Sequence, residues 1–270
     1  MKTETPWLHR SAILVAFCAL IAIAAGAIVT SLYRPIAANG AISINPAFEF
    51  WHHMIGGVAV VLMLALAIAL RSQFAWIALA AGIVDASLGF TGQAFASILH
   101  ALLAQIFFGL IVAVAVMTSE SWGRGAEPIQ DSWRPSLRSL SIALPAVVLL
   151  QTTLGASYRY HALGVIWHIL NAMIVLLLVL IVAVFLIRQF PQHPTIRPAA
   201  IAAAVITSVQ VMLGFTTFMM LILSPDESSL SVVITSVLHV ATGSLTFAAV
   251  LTLAILIRYN ISRPQPLTGR

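Results

Sequence analysis

The chain has very little charge. Of its 270 residues, 8% are Asp, Glu, Lys or Arg, against roughly a quarter in an ordinary soluble domain. Hydrophobic residues make up 61%, and the mean hydropathy is +1.04. A soluble fold of this size has too little interior to hide so much apolar surface. Soluble enzymes, disordered chains and nucleic-acid-binding domains are thereby excluded. Cysteine is nearly absent too. The single Cys18 allows no internal disulfide and no zinc or iron–sulfur cage, and it reads as a small packing residue. Long polar stretches are missing except at 118–136. The sequence pI of about 10.1 comes from 13 basic residues, which sit almost entirely between apolar runs. In a membrane protein that pattern sets topology, not nucleic-acid binding.

What is present is a series of apolar runs. A helix needs about 20 mostly apolar residues to cross a bilayer. Eight runs approach that length, at 11–32, 46–70, 74–91, 94–117, 137–157, 162–187, 198–223 and 230–257. The first is too long for a signal-peptide core and no small-residue cleavage site follows it, so it reads as a retained helix. Asn45 followed by Pro46 is a good helix start. Pro145 is expected to kink the fifth helix. Lys2, Arg10, Arg71, Arg124, Arg134, Arg138, Arg188, Arg197, Arg258, Arg263 and Arg270 fall on one side, and only Arg34 and Arg159 on the other. The positive-inside rule then places both termini in the cytoplasm. The expected fold is an all-α membrane protein of eight transmembrane helices, lying in a lipid bilayer, with the bacterial cytoplasmic membrane as its expected location.

The polar stretch divides the chain into halves that resemble each other: 1–120, a linker at 121–136, and 137–270. Trp51-His52 recurs as Trp167-His168, Leu88-Gly89-Phe90-Thr91 as Leu213-Gly214-Phe215-Thr216, and Leu99-His100 as Leu238-His239. Gly26 and Gly155 each precede an outer-side arginine. Four matches in register point to two parallel-repeat four-helix bundles. An even helix count in each half gives a pseudo-two-fold axis along the membrane normal.

Four histidines then stand out. His52, His100, His168 and His239 lie within the second, fourth, sixth and eighth runs. Those runs all point inward, so the imidazoles fall in the outer half of the membrane. Ionisable groups at membrane depth are rare and usually functional. A lone histidine there is more often a hydrogen-bonded packing residue, but four paired by a repeat are not. Neutral imidazole suits iron or copper. Two imidazoles from facing helices can clamp a flat macrocycle, as in bis-histidine haem proteins. No cysteine or carboxylate ligand set accompanies them, which argues against zinc or a di-iron site. The count suggests two haems, one per bundle. Of the other histidines, His53 projects about 100° from His52 on a helix. His161 is read as facing water, and His9 and His193 need no special role. Met54 and Met173 are read as packing residues.

The halves differ at one carboxylate. Glu49 precedes His52 by three residues, a spacing that shares a helix face. The matching position in the second half is Val165. Glu49 is either hydrated at the membrane surface or a proton acceptor at a haem edge. Asp85, deep in the third run, corresponds to Gln210. Polarity in both copies suggests an interhelical hydrogen bond first and a proton path second. Arg34 and Arg159 lie where haem propionates would emerge, and arginine can pair with carboxylates; surface anchoring is the other reading.

With these residues in place, the sequence resembles the haem A synthase family. The similarity lies in eight helices, two four-helix halves and one histidine on each even-numbered helix. The family's Glu-x-x-His-Arg motif reads here Glu49-Phe50-Trp51-His52-His53. Leu8-His9-Arg10, then Gly26-Ala27-Ile28-Val29-Thr30-Ser31, resembles the family's opening, and so does Gln151-Thr152-Thr153-Leu154-Gly155-Ala156 with Arg159 after it. The resemblance spans nearly the whole chain. It implies oxidation of a ring methyl of haem O to a formyl group, giving haem A for terminal oxidases. It implies that His52 and His100 hold the substrate haem, with Glu49 as the catalytic carboxylate. His168 and His239 would hold the iron of a permanent haem b that passes electrons. The implied partners are haem O synthase, a terminal oxidase subunit, and quinol or another electron donor. Three departures accompany it: His53 replaces the motif arginine, the outer loops are short, and those loops lack both the cysteines and an aspartate-tryptophan-proline run.

Two other readings compete with a synthase. One is a bis-histidine electron-transfer cytochrome, the other a haem-handling assembly factor. Glu49 favours the enzyme. Transmembrane electron transfer usually wants haems at two depths, whereas these histidines share one. A tryptophan-rich outer loop, expected of haem transporters, is absent.

Overall fold

The computed structural model describes residues 6–32, 34–35, 42–43, 46–90, 94–131, 134–223 and 229–261. Each long apolar run closes into a helix, because in lipid every backbone N–H and C=O must be satisfied within the segment. The helices are α1 (Pro6–Leu32), α2 (Pro46–Leu70), α3 (Gln73–Leu88), α4 (Ala94–Met117), a one-turn α5 (Glu120–Gly123), α6 (Leu137–Arg159), α7 (Val165–Gln189), α8 (Ile196–Leu223) and α9 (Leu230–Asn260). Between α1 and α2, two two-residue strands pair antiparallel: β1 (Arg34–Pro35) and β2 (Ile42–Ser43). Among the described residues this ribbon is the one departure of a named element from the all-α expectation.

Seven helices are long and apolar enough to cross a membrane. The exception is α3. Its 16 residues rise only about 24 Å at 1.5 Å each, against a hydrocarbon core of about 30 Å. The third run was expected to extend to Thr91, but α3 stops at Leu88 and 91–93 lie outside the described residues. At the other end, α1 begins at Pro6, five residues before the run anticipated there. The expected start at Pro46 is found, while Asn45 lies outside the described residues. Helix α6 continues through Pro145.

Polar residues set the ends. Ser72 caps α3 by accepting from Ala75 N at 3.2 Å, after a tight turn in which Arg71 takes φ 50°. Ser136 caps α6 through Ser139 N at 3.1 Å. The Asp131 carboxylate also accepts from Leu137 N at 2.9 Å and Arg138 N at 3.1 Å. Anionic oxygen at a helix N-terminus satisfies free donors and opposes the positive end of the dipole.

Helix contacts form two rings. In the first, α1 packs on α2, α2 on α3, α3 on α4, and α4 on α1. In the second, α6, α7, α8 and α9 close in the same way. Between the rings, α1 meets α9, α4 meets α6, and α4 meets α9. Each ring has its own apolar cluster, including Val15, Met63, Leu79 and Ile111 in one and Leu144, Val179, Leu186 and Leu253 in the other. Both clusters occupy one end only: the starts of α1, α3, α6 and α8 and the later parts of α2, α4, α7 and α9. The opposite end carries the histidines. Outward faces remain apolar, with Val61 66% and Leu177 62% exposed. An all-round apolar helix marks a lipid-facing element, so the chain reads as an integral membrane protein. The polar linker folds back onto α9: Trp122 stacks on Tyr259 at 3.8 Å, and Asn260 O accepts from Ile129 N at 2.7 Å.

Candidate functional site

The four histidines come together as two pairs. His52 of α2 faces His100 of α4, with ring centres 5.9 Å apart and planes crossed at 85°. His168 of α7 faces His239 of α9 at 6.1 Å and 84°. Each pair lies within one ring of helices. The two geometries are nearly identical, as two copies of one unit would be.

Every imidazole rests on a glycine of the preceding element: Gly26 in α1, Gly155 in α6, Gly214 in α8, and Gly89 at the C-cap of α3. A Cβ placed on Gly26 would come within 2.9 Å of His52, on Gly89 within 3.3 Å of His100, and on Gly155 and Gly214 within 2.8 Å of His168 and His239. The ring then reaches the backbone four residues before that glycine. Nδ1 of His52 lies 2.9 Å from Ala22 O, of His100 3.0 Å from Asp85 O, and of His239 3.2 Å from Gln210 O. His168 lies against the Gln151 backbone, and the Gln151 amide nitrogen stands 3.0 Å from its Nδ1 and 3.2 Å from its Nε2. There is a reason for the spacing of four. A helical carbonyl uses one lone pair for the N–H four residues later and has a second to offer. A side chain at that later residue would cover it. Glycine leaves it open, and the Cε1 edge of the imidazole fills the gap.

In the tautomer that donates from Nδ1–H to a carbonyl, Nε2 keeps its lone pair, which is how ligating histidines are normally oriented. In the second half that nitrogen faces a side-chain amide, Gln151 Nε2 at 3.2 Å from His168 and Gln210 Nε2 at 3.5 Å from His239. An imidazole nitrogen binds a transition metal at about 2 Å and its ring centre lies about 1.1 Å further back, so a pair that held one iron between them would have ring centres about 6 Å apart. The observed 5.9 and 6.1 Å are close to that. Among the described residues, no group of three or more His, Cys, Asp or Glu could hold a bare ion. A pair supplies two ligands, so the other positions on an iron would come from a macrocycle. The buried apolar clusters lie towards the opposite end of each ring of helices, away from the imidazole pairs.

The remaining anticipated residues divide. Glu49 is exposed and its carboxylate lies 3.9 Å from Nε2 of His53, one turn on, so it engages His53 in this structure and not His52. His53 in turn stacks on Phe90 at 4.6 Å and 13°. Asp85 makes the expected interhelical contact, to His100. Gln210, its counterpart, holds His239. Arg159 ends α6 and donates from Nη2 to Ser31 Oγ of α1 at 2.9 Å, joining the two rings of helices. Arg34 falls in β1, and its side chain lies outside the described residues. His161 is exposed in the turn before α7, with φ 58°. His9 reaches across to Ala115 O at 2.9 Å. Met54 and Met173 turn outward, 47% and 48% exposed, instead of packing inside. Cys18 packs against the first apolar cluster.

Sequence reasoning missed the glycines as supports for the histidines, although all four stood in the repeated motifs. It also missed Gln151, whose Oε1 accepts from Asn171 Nδ2 at 2.8 Å while its amide nitrogen holds His168. Glycine and histidine are separated by 26, 11, 13 and 25 residues, so no fixed spacing links them. A separate hollow of about 700 Å³ lies at the opposite end, where Glu127 and His193 meet Phe185 and Phe190. No protein-family model matches the chain, and no curated protein matches it significantly.

Proposed function

We propose that this chain is a two-haem membrane oxidoreductase of the haem A synthase type. The observation that carries the reading is the doubled site: two crossed imidazole pairs, each ring backed by glycine and oriented by a backbone oxygen. In this reading all eight long helices span the membrane, α3 with the help of its flanking residues, and both termini are cytoplasmic. Trp51 and Trp167, 59% and 57% exposed beside their histidines, suit the outer interface, where tryptophan anchors helices.

The roles follow the asymmetry between halves. His52 and His100 hold haem O, the substrate. His168 and His239 hold a resident haem b, which supplies one-electron chemistry when bound. The first half alone carries a carboxylate one turn from a ligand. Glu49 would accept a proton at the substrate edge, with the His53 imidazole 3.9 Å away. Taking the methyl to a formyl removes four electrons and adds one oxygen atom, which an external oxidant and oxygen source must supply. Arg159, at the end of α6, would meet a propionate at the outer rim, and Arg34 is the first-half candidate for the same role. Quinol or another donor, haem O synthase and a terminal oxidase subunit are the corresponding partners.

One observation favours a second reading, a bis-histidine electron carrier. Glu49 is exposed and directed at His53, away from His52. Co-expression with a source of haem O, followed by haem extraction, separates the two. A formyl or hydroxymethyl haem supports the synthase. Two bound bis-histidine haems with unmodified haem alone support the carrier. Glu49→Gln is expected to abolish product while keeping haem bound; retained product removes Glu49 from the mechanism.

A further inference from the structure

Four equivalent residues offer a backbone oxygen to the four imidazoles: Ala22, Asp85, Gln151 and Gln210. Their side chains differ. Ala22 offers a methyl group, and the two glutamines offer neutral amides. Only Asp85 offers a carboxylate, and it is 9% exposed. Its Oδ1 lies 2.8 Å from His100 Nδ1, yet out of line for a hydrogen bond, and has no other partner. Its backbone oxygen takes the same Nδ1–H at 3.0 Å. One N–H therefore faces two oxygens of one residue. Gln210 shows what the second half does in that place. Its amide nitrogen lies 3.5 Å from His239 Nε2, and its Oε1 is buried without a partner.

A buried carboxylate near the outer nitrogen of a ligating imidazole draws on its proton and raises the basicity of the ligating nitrogen. Burial strengthens the effect, because little water intervenes. We propose that Asp85 is a positioning residue that makes His100 the most electron-donating of the four imidazoles, so that the first-half haem has the lower reduction potential. The proposal rests on the two-haem reading above. It separates the halves by a second device, independent of Glu49. An electron-rich iron favours its oxidised state and is the poorer electron acceptor of the two, so the halves would differ in redox role.

The test is redox titration of the full chain carrying its haems, followed by visible absorbance. A His168→Ala, His239→Ala background isolates the first-half haem. Asp85→Asn, which keeps the shape, is expected to raise that midpoint by at least the tenfold equivalent, about 59 mV for one electron. Asp85→Glu is expected to restore part of the shift. Gln210→Asp in the unaltered chain is expected to lower the second-half midpoint alone. Haem bound with an unmoved midpoint in Asp85→Asn overturns the proposal. If Asp85→Asn fails to fold, Gln210→Asp decides: a lowered second midpoint supports it and an unmoved one overturns it. A wild-type chain with no bis-histidine haem overturns the two-haem reading and this proposal together. Two haems with unmoved midpoints overturn only the proposal.

Discussion

A single methyl group added beneath an imidazole tests the central geometry. Alanine at Gly155 would bring its Cβ to 2.8 Å from His168 Cε1, and ordinary contact begins at 3.4 Å. The ring must retreat by about 0.6 Å, which exceeds the roughly 0.5 Å within which a functional constellation must be held. Gly214→Ala demands the same of His239, and Gly26→Ala slightly less of His52. At Gly89 the contact is 3.3 Å, so His100 need move only about 0.1 Å. Losing ligand orientation typically weakens metal-site affinity about 10–100-fold, or about 1.4–2.7 kcal/mol. Helix propensity runs the other way, since alanine within a helix gains about 0.5–1 kcal/mol over glycine. Gly57→Ala, with nothing within 4 Å of the new Cβ, therefore serves as the control and keeps full haem. The assay is haem stoichiometry and low-spin absorbance of purified variants in detergent. The expected order of loss is Gly155 and Gly214, then Gly26, with Gly89 near wild type. Equal haem content in Gly155→Ala and Gly57→Ala would refute the claim that these glycines seat ligating rings.

Other outcomes follow from the same geometry. His168→Ala is expected to remove one of two haems and leave the first-half spectrum intact; unchanged haem content excludes the second-half site. Gln151→Ala frees His168 and leaves Asn171 short of a buried acceptor, a loss of about 1–3 kcal/mol, read as weaker second-half haem retention on dilution. Gly109→Ala forces a Cβ into the ring of Phe247, where α4 meets α9. It is expected to cost about 1–3 kcal/mol through overpacking, visible as a lowered thermal midpoint in detergent. An unchanged midpoint would show that the two rings of helices are not tightly apposed there.

Much of the architecture was legible because its signals are local. An apolar run long enough to span a bilayer leaves the backbone one choice, so the positions of α1, α2, α4 and α6 to α9 follow from composition and length. Helix α3 was overextended because apolar residues continue through Phe90, while Gly89 already ends the helix. The histidines were legible because polar side chains are costly in such surroundings and so stand out. The spacing of three put Glu49 on the face of His52, but the third and fourth residues along a helix lie on adjoining faces, and side-chain direction sets its carboxylate nearer His53. Sequence by itself determined the apolar helices, the repeat and the four imidazoles. Tertiary structure decided how closely each pair of imidazoles faces and what each ring rests on. Those facts depend on helix packing across loops of unequal length, where a glycine and a histidine meet at no fixed distance along the chain.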